Sequence, residues 1–140
     1  MNEPYAGGCA CGAIRYEIAD RPLVEADCQC RHCQQMSGTG QGSYLAFPSR
    51  DRVTLKGEAS HWKVTGDSGN VKTHGFCPTC GSPVYLTSAA TPDLFTVHAA
   101  SLDYPGRYAP QMVFYIVSGL PWDRLDPALP KFEKLPPTPG

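Results

Sequence analysis

The sequence has no concentrated positive charge and no long hydrophobic run. Lys and Arg number 12 against 13 Asp and Glu, for a net charge of −1, and no basic cluster is present that would follow a phosphate backbone. No segment approaches the roughly 18 consecutive apolar residues that a membrane-spanning helix needs. The amino terminus, M-N-E-P-Y, lacks the apolar core of a secretory signal. We therefore expect a soluble, cytoplasmic protein with no nucleic-acid or membrane partner.

The sequence also has few segments long enough for a helix. Fourteen glycines and fourteen prolines are spread through 140 residues, a length that fits one domain. The one predicted helical turn follows Cys30, runs to about Met36 and ends at Ser37-Gly38. Between the turns, short β-rich segments are predicted at residues 13–18, 43–47, 61–65, 71–75, 84–87, 94–98 and 112–117. These features predict an all-β domain of short antiparallel strands held together by metal.

Two regions are predicted in more detail. Residues 13–18 alternate, which places Ile14, Tyr16 and Ile18 on one face of a strand. From residue 121 onward the chain contains six prolines, which predicts an extended tail anchored by Trp122 and Phe132. We expect a domain over residues 1–132 and a Pro-rich tail over 133–140.

Seven cysteines are the most informative residues of the chain. Thiols stay reduced in the cytoplasm, and an odd count cannot pair fully, so these cysteines predict metal ligation rather than disulfides. They fall into three groups: Cys9 and Cys11, then Cys28, Cys30 and Cys33, then Cys77 and Cys80. The last group, C-P-T-C-G, resembles a zinc knuckle, in which Gly81 takes a positive φ to close the turn.

Tetrahedral zinc needs four ligands, so the pair Cys77 and Cys80 needs two more. These come either from Cys9 and Cys11 or from two members of the central triplet. If Cys28, Cys30 and Cys33 share one ion, the other four cysteines form a closed structural site. The triplet then has three thiolates and an open position, which is typical of catalytic zinc.

Other interpretations of the cysteines remain. A thioredoxin-like redox pair at Cys77 and Cys80 lacks the expected βαβ surroundings. A second closed zinc site, with a histidine completing the triplet, is the stronger alternative. The candidate histidines are His32, His61, His74 and His98, and the short loop is expected to turn His32 away from the metal.

Five segments carry a resemblance to a known family. They are G-G-C-A-C-G-A-I-R-Y (7–16), C-Q-C-R-H-C-Q-Q-M-S-G (28–38), G-F-C-P-T-C-G-S-P (75–83), S-L-D (101–103) and L-P-W (120–122). In order and spacing, the chain resembles the glutathione-dependent formaldehyde-activating enzyme family, which includes the centromere protein V domain. The resemblance extends from about residue 7 to 132.

This resemblance implies a β-tent fold with two zinc ions. It implies a structural site at Cys9, Cys11, Cys77 and Cys80 and a catalytic site at Cys28, Cys30 and Cys33. The implied activity is that of a carbon–sulfur lyase, which reversibly adds a small glutathione-like thiol to a formaldehyde-like aldehyde. The sequence departs from the family pattern at Gln29 and near Val113, where histidines are common. A non-catalytic two-zinc protein-interaction module is the alternative function.

Overall fold

The computed structural model describes residues 3–136, and ten strands and one α-helix lie within that range. The strands of the first half are β1 (Tyr5–Gly8), β2 (Arg15–Ile18), β3 (Val24–Cys28), β4 (Gly42–Phe47) and β5 (Val53–Lys56). Those of the second half are β6 (Ser60–Thr65), β7 (Val71–Phe76), β8 (Pro83–Ser88), β9 (Thr91–His98) and β10 (Met112–Phe114). Helix α1 spans Arg31–Ser37. The all-β class predicted from the sequence is confirmed.

The strands form two sheets. The smaller has the order β1-β2-β5, and the larger has the order β10-β3-β4-β9-β8-β7-β6. Every pairing is antiparallel except that of β10 with β3, which is parallel. The short antiparallel strands predicted from the sequence are thus present, and the pairing of β10 with β3 is an exception that was not predicted. Residues 99–111 connect β9 to β10, and this connection is long enough for β10 to lie parallel to β3.

The hydrophobic core lies between the two sheets. Strand β2 alternates as predicted, because Ile14, Tyr16 and Ile18 are buried while Glu17 is exposed. On the facing side of the large sheet, Leu45 and Phe47 of β4 belong to the same core cluster. The intervening residues of β4 point to the opposite face of the large sheet, as the two-residue period of a strand requires. That opposite face carries helix α1.

Helix α1 begins and ends where the sequence predicts. The Cys30 side chain caps its first turn by accepting a hydrogen bond from the Cys33 backbone N–H. Gly38, at a φ of 78°, ends the helix in the left-handed conformation that glycine adopts most easily. Among the described residues, no helix has the length and apolar character needed to cross a membrane.

Several strands differ from the sequence prediction. Strands β1, β3 and β5 were not predicted, since β1 contains two glycines and β3 contains Glu25 and Asp27, residues that are uncommon in strands. The predicted strand 112–117 is too long. It ends at Phe114, because Tyr115 adopts a positive φ of 57° and a 3-10 turn follows over Ile116–Ser118.

The carboxy-terminal segment returns to the edge of the large sheet. Phe132 donates a backbone hydrogen bond to Val113, and its ring lies 6.4 Å from that of Phe114. The predicted anchoring role of Trp122 is wrong, because its side chain is 62% exposed. Of the predicted tail, residues 137–140 lie outside the described residues, and the division at residue 132 remains a prediction.

Candidate metal centres and active site

Cys9, Cys11, Cys77 and Cys80 come together although almost seventy positions separate the two pairs. Their four sulfurs lie within 4.8 Å of one another. The Cys11 sulfur is 3.7 Å from that of Cys9 and 3.7 Å from that of Cys77. Four thiolates on a tetrahedral zinc, each at about 2.3 Å, are spaced by about 3.8 Å. The geometry of this cluster therefore fits a zinc ion.

Backbone hydrogen bonds hold this four-cysteine cluster in place. The N–H groups of Thr79 and Cys80 point at the Cys77 sulfur, at 3.3 and 3.4 Å, and that of Ile14 points at the Cys9 sulfur, at 3.2 Å. Gly81 has a φ of 78°, as predicted for a zinc knuckle. Such N–H groups stabilise sulfur in its anionic form.

Cys28, Cys30 and Cys33 form a second cluster, whose sulfurs also lie within 4.8 Å of one another. Cys28 is the last residue of β3, Cys30 caps α1, and Cys33 lies in its first turn. Hydrogen bonds from the Cys28 and Cys33 thiols lower the pKa of Cys30, and the same contact with Cys30 raises the pKa of Cys28. The three thiols are therefore close enough to share hydrogen bonds with one another. Three soft sulfur donors, partly buried, are a set that suits zinc.

No histidine joins the triplet among the described residues. The Nε2 atoms of His32 and His74 are 2.7 Å apart, and the His61 Nε2 lies 2.9 Å from the Tyr85 hydroxyl. His98 packs its ring against that of Tyr44, with centroids 5.0 Å apart. The structure therefore gives no support to a closed site of three cysteines and one histidine.

Gln29, which departs from the family pattern, fastens the triplet loop. Its side chain is 2% exposed and donates a hydrogen bond of 2.9 Å to the Asp123 carboxylate. The amide of Gln34 donates to the backbone carbonyls of Gln29 and Ser118, both at 2.9 Å. These bonds tie the triplet to the segment after β10. Asp123 was not identified from the sequence, because its only signal was its position next to the L-P-W motif.

Two cavities meet at the triplet. The smaller, of about 170 Å³, lies between α1 and the large sheet and is lined by Cys28 and Cys33. The larger, of about 430 Å³, is lined by Cys30 and Arg31. His32, Lys72 and Tyr115 border both. The triplet therefore borders two cavities of different size, with Cys28 and Cys33 on the smaller and Cys30 on the larger.

Tyr44 is a site residue that the sequence analysis missed. It faces the triplet from β4, and its buried hydroxyl contacts the Cys33 sulfur but has no oxygen or nitrogen partner within residues 3–136. Burial is the main cause that raises the pKa of Tyr44, and the nearby Cys33 sulfur raises it further. The hydroxyl therefore keeps its proton. A Cβ at Gly42 would lie 2.3 Å from this hydroxyl, so only glycine there leaves room for the ring. The sequence alone does not show that Gly42 of β4 pairs with Cys28 of β3, and this pairing is what brings Tyr44 to the triplet.

We expect the protein to lose stability in acid, because two of its histidines are buried. Burial lowers the pKa of His74 and of His98 to about 4, whereas unfolded histidine titrates near 6.5. Between these values the unfolded chain binds more protons, so each histidine removes about 1.4 kcal/mol of unfolding free energy per unit as pH falls from about 6.5 toward 4. Denaturant unfolding of zinc-loaded protein between pH 7 and 5 measures this slope.

The His98→Phe variant provides the control. It keeps a ring of similar size and removes one of the two titrating groups, so its stability should fall less steeply with acid than that of the original protein. Metal release at low pH affects both proteins, and the difference between their slopes isolates the histidine. Identical slopes would contradict a buried neutral His98.

These features define a class: a two-sheet β protein with one four-cysteine and one three-cysteine cluster, both suited to zinc. The sequence profile of the glutathione-dependent formaldehyde-activating enzyme family matches residues 4–118. The chain belongs to this family.

The chain is also similar in fold to a solved structure. It is the crystal structure of a Rhodobacter sphaeroides protein determined as a structural-genomics target, and it has 16% sequence identity and a TM-score of 0.58. The match covers 91% of this chain and 98% of that one. Among curated proteins, none matches this sequence.

Proposed function

We propose that the protein is a zinc-dependent carbon–sulfur lyase that reversibly adds a small peptide-like thiol, of the glutathione type, to a small aldehyde such as formaldehyde. Family membership supports the substrate classes. The observation that carries the proposal is the position of the triplet at the junction of two cavities of unequal size, about 430 and 170 Å³. Two substrates of unequal size can thus approach the triplet from different cavities, one beside Cys28 and Cys33 and the other beside Cys30.

The larger cavity suits an anionic peptide-like thiol. Arg31 and Lys72 line it, and neither forms an ion pair within the described residues. A third cation, Lys134, is 3.2 Å from the Asp67 carboxylate and is already paired. Arg31 and Lys72 can therefore attract the carboxylates of a thiol such as glutathione.

We propose Cys28, Cys30 and Cys33 as the ligands of the catalytic zinc. When bound there, zinc supplies Lewis acidity and favours the thiolate form of a nearby thiol. The chain's own residues orient the reactants, since Lys72 and His32 border both cavities. In the reaction the thiol sulfur bonds to the carbonyl carbon and the C=O π bond breaks. The proton lost from sulfur is balanced by one gained on oxygen, so no oxidant is needed.

We propose Cys9, Cys11, Cys77 and Cys80 as the ligands of a second, structural zinc. Cys9 and Cys77 belong to the hydrophobic core cluster, so an ion there joins the start of the chain to the β7–β8 connection. All seven cysteines are unpaired. Unpaired thiols in this number suit a reducing compartment, and we therefore propose the cytoplasm as the site of action.

The reaction can be tested by NMR exchange spectroscopy with glutathione and 13C-formaldehyde. Because hemithioacetals form without a catalyst, the rate of exchange between free aldehyde and thiol adduct is the useful quantity. We expect the zinc-loaded protein to accelerate this exchange and the Cys30→Ser variant to give the uncatalysed rate.

Identifying the substrates requires the same assay with a wider series of thiols and aldehydes. Other small thiols and aldehydes should follow, with N-acetylcysteine as a thiol that lacks most of the glutathione backbone. An absence of acceleration with every pair would contradict the proposal and would favour a two-zinc interaction module.

A further inference from the structure

The smaller cavity beside the triplet has walls of a definite chemical character. Most of its lining is apolar, contributed by Val24, Ala26, Ala46, Leu86 and Phe114. At about 170 Å³ it exceeds the share of liquid volume of one water, about 30 Å³, several-fold. It is well below the roughly 300 Å³ at which pockets for drug-sized ligands begin. The cavity therefore suits a molecule of a few heavy atoms.

Two buried polar groups border this cavity. The Tyr44 hydroxyl contacts the Cys33 sulfur and has no oxygen or nitrogen partner, and the His74 Nδ1 has no hydrogen-bond partner in the part of the chain that the structure describes. His74 is 2% exposed, and its other ring nitrogen is engaged with His32. A buried polar group that lacks a full partner is costly, so a hydroxyl and a ring nitrogen left in this state at one cavity favour a polar ligand there.

The Tyr44 ring is held where it can reach the triplet. Gly42 makes room for the hydroxyl, because a Cβ at that position would lie only 2.3 Å from it. His98 packs against the ring from the neighbouring strand. Gly42 is paired with Cys28 across the strands, so the hydroxyl lies over the end of β3. The Tyr44 hydroxyl, Cys28 and Cys33 thus border the same small cavity.

We propose that this cavity binds the small aldehyde and that the Tyr44 hydroxyl donates a hydrogen bond to its carbonyl oxygen. The inference rests on the proposed function and adds to it the aldehyde pocket and a catalytic residue. As the C–S bond forms, negative charge develops on that oxygen, and a fixed donor stabilises it. The oxygen finishes as the hydroxyl of the adduct, with the proton count unchanged overall.

The Tyr44→Phe variant tests this assignment through binding, independently of catalysis. Formamide carries a carbonyl of the right size and does not add thiols, so saturation-transfer NMR with zinc-loaded protein reports the pocket directly. We expect about 3- to 10-fold weaker formamide binding in Tyr44→Phe, the effect of one hydrogen bond. Equal binding by both proteins, or no binding to either, would overturn the inference.

The stability and the activity of the Tyr44→Phe variant provide a second test of the proposed role of Tyr44. Because the hydroxyl has no oxygen or nitrogen partner, its removal should leave the variant about as stable as the original protein and with the same zinc content. Aldehyde exchange should nevertheless slow on the order of 10²-fold, as for the loss of one donor to a developing oxyanion. A Tyr44→Phe variant that loses zinc but keeps formamide affinity would contradict the proposal and make Tyr44 a positioning residue for Cys33.

Two further variants complete the design. Tyr85→Phe removes a tyrosine hydroxyl on the core face of the same sheet, where it contacts His61, and should change neither formamide binding nor exchange. Ala26→Val narrows the cavity and should weaken formamide binding while leaving glutathione binding intact. Formamide binding that depends on Tyr44, in a protein with no lyase activity, would support the pocket and reject only the proposed reaction.

Discussion

The Cys77→Ser variant should unfold at a much lower temperature than the original protein. Cys77 is fully buried in the core cluster, and its sulfur accepts two backbone N–H groups. Loss of a structural zinc reduces the folding free energy directly, here by about 5 kcal/mol or more, which is comparable to the whole stability of an ordinary domain. Thermal melts combined with zinc analysis measure the effect.

The outcome for Cys77→Ser depends on the proposed division of ligands. We expect early melting or aggregation together with loss of zinc from the four-cysteine cluster. A variant that keeps its melting temperature while losing one zinc would show that this ion does not support the fold.

The Cys30→Ser variant should lose activity but keep its fold. Cys30 is only partly buried and lies at the start of α1, outside the core between the two sheets. Its replacement removes one of the three sulfurs of the triplet, so we expect about one zinc fewer per chain and no acceleration of aldehyde exchange.

Cys77→Ser is the matched control for this variant, because it makes the same chemical change at the other cluster. The fall in unfolding free energy should be at least about 3 kcal/mol larger for Cys77→Ser than for Cys30→Ser. If both variants unfold equally early, the triplet supports the fold in the same way, and its catalytic assignment fails.

The cysteine groups could be predicted from the sequence because each group is local. Spacings such as C-x-C and C-x-x-C place sulfurs on one turn, and the ligand number of zinc then limits how groups combine. Helix α1 was predicted for a similar reason, since Cys30 and Gly38 mark its ends within a few residues. In β2 and the residue before it, the alternation of Ile14, Tyr16 and Ile18 was enough to identify the buried face.

The features that were missed depend on contacts between distant segments. Tyr44 becomes a site residue only through the pairing of β4 with β3, which periodicity within one strand does not reveal. Asp123 reaches Gln29 across more than ninety positions. The parallel pairing of β10 follows from a long connection whose path the sequence does not show, and the positive φ of Tyr115 is unusual for a residue other than glycine.

Zinc K-edge X-ray absorption of the protein, with both sites loaded and no thiol added, tests the central claim most directly. With four thiolates at one site and three at the other, we expect a sulfur-dominated shell averaging about 3.5 sulfurs per zinc at about 2.3 Å. The outer-shell scattering that a bound imidazole produces should be absent. An imidazole signal with three sulfurs at one zinc would show that a histidine closes the triplet, and it would contradict the assignment of Cys28, Cys30 and Cys33 as a reactive site.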